Sequence, residues 1–64
     1  MSVREAARSK ALEAWLTLTE KPTRANAVAA YEAIELLADV EGIEHDQART
    51  IVLGMYRDSN PGKP

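Results

Sequence analysis

The stretch LLADVEGIEHDQARTI, residues 36–51, holds the break on which the fold turns. A helical run, apolar at Leu37, Ala38 and Val40, stops at Gly42. Glycine suits the position after a helix because it enters the left-handed conformation without a Cβ penalty. Ile43 stands where a hydrophobic residue staples onto the next helix. Asp46 and Gln47 fall in the first turn of a new run, where an acid is favoured by the helix dipole. Ala48, Ile51, Val52, Met55 and Tyr56 recur at i, i+3, i+4, i+7 and i+8, the spacing of one helical face. The pattern predicts two helices joined by a short bend, the second over about 45–57. Gly54 inside it costs about 1 kcal/mol relative to alanine and marks either close backbone contact or early fraying.

Upstream, Thr23 is placed to cap a helix over 24–41. Ala27, Ala30, Tyr31, Ile34, Leu37 and Ala38 form its main stripe, and Ala29, Ala33, Leu36 and Val40 broaden it. A helix apolar over more than half its circumference packs against two neighbours, which makes this one central. Pro22 ends an earlier helix over about 3–19, since a residue before proline is disfavoured in the α region. Ser2 and Glu5 have the S-x-x-E spacing of a capping box. Val3, Ala7, Ala11, Ala14 and Leu18 share one face of that helix, with Trp15 on its edge. No alternating run or Asn-Gly hairpin signals a strand. The fold class is all-α, a three-helix bundle over 1–58, with a disordered tail over 59–64 that has no core-forming residue.

Composition removes several function classes. With 64 residues the chain builds one small domain and a thin core. It has no cysteine and one histidine, so neither a disulfide nor a structural zinc site is expected. Glu41, Glu44 and Asp46 lack the spacing of a calcium loop. Three unclustered glycines make no phosphate-binding loop. His45 has no serine partner in view and is expected to be a solvated surface residue. The expectation is therefore no catalytic residue, no metal and no cofactor. No apolar run approaches the roughly 20 residues of a membrane span, and no signal-peptide pattern follows the N-terminus; a cytoplasmic protein is expected.

What remains is binding. Between Ala25 and Gln47 there are six acids and no lysine or arginine, while both flanks are net positive. Glu32, Glu35 and Asp39 lie on one strip of the central helix, and are expected to pair with basic residues of the outer helices or to dock a basic partner. Leu12, Leu16, Val28 and Leu53 fall outside the core-facing stripes, so an apolar interface is expected at Leu12, Trp15 and Leu16, for a protein partner or a second copy. The favoured function is a small regulatory or adaptor protein acting through a helical surface. The alternative comes from the turn: Ala38 and Gly42, with Leu37 before and Ile43 and Ile51 after, have the spacing of a DNA-binding helix-turn-helix. Gln47, Arg49 and Thr50 would then contact DNA. Glu44 and Asp46 at the start of that helix, and the length of the helix before it, run against the pattern.

Overall fold

The computed structural model describes residues 2–59 and is built of three helices, α1 (Val3–Glu20), α2 (Arg24–Glu41) and α3 (His45–Ser59). The described residues contain no strand. The helices fall within a residue or two of their expected bounds. Of the tail expected to be disordered, Ser59 ends α3, and 60–64 lie outside the described residues.

Each helix start is chemically explicit. Ser2 is extended and its hydroxyl accepts from the Glu5 backbone N–H at 3.2 Å. Thr23 does the same for Asn26 at 3.2 Å. At α3 the arrangement is the other half of a capping box: the Glu44 backbone N–H donates to the Gln47 side-chain carbonyl at 3.0 Å. Between α1 and α2, Lys21 is extended, as its position before proline requires. Its carbonyl accepts from the Thr23 N–H and the Asn26 side-chain amide, both at 2.8 Å.

The bend at 42–44 is a Schellman turn. Gly42 sits at φ 69° and ψ 37°, its N–H reaches the Asp39 carbonyl at 3.3 Å, and the Ile43 N–H reaches the Ala38 carbonyl at 3.0 Å. These bonds satisfy carbonyls that the end of α2 would otherwise leave open. Ile43 then packs against the core.

That core is made largely of alanine. Ala7 and Ala11 of α1, Ala33, Ile34, Leu37 and Ala38 of α2, and Ala48 and Val52 of α3 form one buried cluster. Leu37 and Val52 are its largest fully buried side chains. Trp15, Val40, Ile43, Ile51 and Met55 close over it, half-buried. α2 packs against both other helices, and α1 also meets α3. Five stripe residues depart from expectation: Val3, 71% exposed, Tyr31, 57%, and Leu36, 46%, together with Ala27 and Ala29, lie at the surface. Val3 is the first residue of α1, with no neighbouring turn to cover it.

The charged groups are arranged differently from the expected pairing. Glu32, Glu35 and Asp39 form no ion pair among the described residues. Arg4 and Arg8 of α1 pair instead with Glu41, the last residue of α2. Its Oε1 accepts from Arg4 Nε at 2.9 Å and Nη2 at 2.6 Å, and its Oε2 accepts from Arg8 Nε at 2.8 Å. The Glu41 side chain is only 5% exposed. Arg4 and Arg8 are one helical turn apart and so present both guanidiniums to one carboxylate, clamping the start of α1 to the end of α2. They also offset the unfavourable placement of an acid at a helix C-terminus. The Arg4 hydrogen bonds, and then those of Arg8, hold the Glu41 carboxyl below the usual carboxylate range against the opposing effect of its burial.

Two outcomes are expected. Replacing Gly42 by alanine forces a Cβ into the left-handed region and should cost about 1–2 kcal/mol. A Cβ at Gly54 meets nothing within 4 Å, so there is no close backbone contact to preserve, and Gly54→Ala should add about 0.5–1 kcal/mol. Urea unfolding of the two variants should shift in opposite directions; a shared sign would contradict the geometry. Glu41 has a depressed folded-state pKa, so its contribution is fully present above the ordinary carboxylate range and is lost as pH falls through the lowered value. Glu41→Gln should therefore be less stable than the parent at neutral pH and converge with it in strong acid. A stability gap that did not change with pH would assign the effect to packing.

Candidate functional site

A groove of about 510 Å³ opens where all three helices meet. α1 contributes Trp15 and Leu18 from its second half, and α2 contributes Ala27, Ala30, Tyr31 and Ile34 from its first half. His45, Asp46 and Arg49 come from the first turns of α3. Along the α1–α2 pair it lies at the opposite end from the Glu41 clamp. The volume falls in the range of about 300–1,000 Å³ typical of ligand pockets, and the lining is mostly apolar.

Alanine is the local cause. Ala27 and Ala30 stand where larger side chains would fill the space between Trp15 and α3. Tyr31, one residue on, leans over the opening, and its ring lies 4.4 Å from that of His45 at 30° between planes. This stack explains two departures from the sequence expectation: Tyr31 is held at the surface, and His45 is half-buried instead of solvated. His45 Nε2 is sealed from solvent without a hydrogen-bond partner, which no other side-chain N or O shows among the described residues that are buried or half-buried. Polar atoms in that condition are uncommon in folded proteins. Charge sits only at the rim, where Arg49 is 3.9 Å from Asp46 in a loose and exposed pair.

Of the residues singled out from sequence, Trp15 lines this groove, half-buried. Leu12 and Leu16 are half-buried and do not line it. Glu32, Glu35 and Asp39 are brought together on the outward face of α2, around a shallow hollow they share with Leu36. Lys10 and Glu32 flank a neighbouring hollow without forming an ion pair. Gln47, Arg49 and Thr50 are all exposed. Two of them are engaged within their own helix, however: Gln47 holds the Glu44 N–H, and the Thr50 hydroxyl donates to the Asp46 carbonyl at 3.0 Å. Sequence reasoning missed Ala27, Ala30 and His45 as groove residues. The available signal was the run of small residues on α2 beside the only tryptophan.

Among the described residues no cluster of His, Asp or Glu is arranged to hold a metal ion, and no helix is long and apolar enough to cross a membrane. In comparisons with known proteins, no family model, no curated protein and no solved structure matches the chain.

Proposed function

We propose that this protein is a non-enzymatic regulatory or adaptor module, acting in the cytoplasm, that docks another protein onto its helical surface. The groove carries this reading: it is a preformed, mostly apolar hollow of about 510 Å³, walled by a tryptophan, a tyrosine and a histidine, on a very small domain. Binding energy at protein interfaces concentrates where an apolar or aromatic anchor enters such a hollow. Trp15 and Tyr31 form the contact walls, and Arg49 and Asp46 at the rim orient a polar group on the partner. An amphipathic helix, which offers anchors at i, i+3, i+4 and i+7, is the partner shape that suits it. Leu12 and Leu16 are a second apolar surface for the same partner. The absence of cysteine fits a reducing compartment.

Duplex DNA is the second reading, favoured by the exposure of Gln47, Arg49 and Thr50 along α3. It has less support, because Gln47 and Thr50 already serve their own backbone and Asp46 stands beside Arg49.

Amide NMR titration separates the two. An amphipathic helical peptide selected from a displayed library should shift Trp15, Tyr31, His45 and Arg49. Ala27→Arg, which fills the groove, should weaken that peptide more than about tenfold, whereas Leu12→Asn with Leu16→Asn should weaken it less. Peptide shifts scattered away from the groove, or binding indifferent to Ala27→Arg, would reject the groove. Salt-sensitive shifts with mixed-sequence duplex, concentrated from His45 to Leu53, would install the DNA reading instead.

A further inference from the structure

The outward face of α2 is not only acidic. Val28 and Leu36, 51% and 46% exposed, lie among Glu32, Glu35 and Asp39, and the three carboxylates have no ion-pair partner among the described residues. The outward face of α3 has the opposite character. Arg49, Leu53 and Arg57 stand at i, i+4 and i+8, one above another on the helix surface. Leu53 is 37% exposed. Arg57 has no ion-pair partner among the described residues, and Arg49 has only its loose contact with Asp46.

The two faces match in length as well as sign. Arg49 and Arg57 are eight residues apart, about 12 Å of helix, and Glu32 and Asp39 are seven apart, about 10 Å. Laid antiparallel, Arg57 meets Glu32, Arg49 meets Asp39, and Leu53 falls against Leu36 between them. In that register Asp46 lies at the Gly42–Ile43 bend, past the end of α2 and beyond Glu32, Glu35 and Asp39. Both faces point outward from their own bundle, so they cannot meet within one chain.

We infer that the acidic–apolar face of α2 docks the Arg49–Leu53–Arg57 row of a second copy of this chain. A standard interface takes about 800 Å² from each partner, close to a sixth of the 4725 Å² that this chain exposes. One helix face against another, with central leucines and charges at the rim, is an economical way to cover that area. The contact uses surface distinct from the groove except at Arg49, so self-association and partner docking are separately measurable.

The test is a charge swap followed by sedimentation from micromolar to millimolar concentration. The parent should self-associate, less so as salt rises. Glu32→Lys with Asp39→Lys, and separately Arg49→Glu with Arg57→Glu, should each remain monomeric with unchanged helicity. Mixed in equal amounts, the two variants should associate again, because each then offers the face that the other lacks. A monomeric parent across that range overturns the inference. So does a self-associating double variant, or a mixture of the two that stays monomeric. The peptide titration of the groove on the Glu32→Lys, Asp39→Lys variant reads the docking proposal independently of this result.

Discussion

Everything in this fold depends on how closely helices can approach when their contact surfaces are alanine. Ala7 and Ala11 of α1, Ala33 and Ala38 of α2 and Ala48 of α3 lie in one buried cluster. Small side chains bring backbones near one another, but each buries little apolar area, at about 0.8 kcal/mol per buried methylene. Only Leu37 and Val52 add large, fully buried side chains. A core of that size leaves much of the structural definition to polar geometry at the helix ends. Capping hydroxyls, the glycine turn and the arginine–glutamate clamp fix where each helix begins, stops and meets its neighbour.

Much of this was legible in the sequence, and the reason is local. Ser2, Thr23, Pro22 and Gly42 act within a few residues of themselves, so the three helices and their bounds follow from spacing alone. The α3 stripe through Ala48 and Val52 was equally clear, because its periodicity is undiluted. The illegible part is what depends on distant partners. Glu41 is 37 residues from Arg4 and 33 from Arg8, and no periodicity marks it among the six acids of the middle segment. Tyr31 lies on the apolar stripe of α2 by angle, yet its ring reaches out to His45. The groove is a space left by residues that are too small, and an absence of volume has no motif.

The two proposed surfaces share an origin in that economy. α2 spends its inward face on thin packing with two neighbours and keeps an outward face that is half apolar and half acidic. α3 buries Ala48 and Val52 and turns an arginine–leucine–arginine row to solvent. The bundle is drawn together at the clamp end, where Glu41 is satisfied, and is incompletely filled at the other, where Ala27 and Ala30 face Trp15. The arginine–glutamate clamp and the groove thus lie at opposite ends of the α1–α2 pair.

A partner at the incompletely filled end would tie the lifetime of the chain to its company. A partner that seats in the groove binds only the folded form, since the three helices must be assembled to make it. Such a partner adds RT ln(1 + [L]/Kd) to stability, about 2.7 kcal/mol at a hundredfold excess over Kd. For a domain whose own margin is small, that increment is a large share of the whole. The unaccompanied chain would open often and be open to proteolysis, while the accompanied one would persist. Abundance in a cell would then track the partner without any regulation of synthesis, through the space that two alanines leave beside one tryptophan.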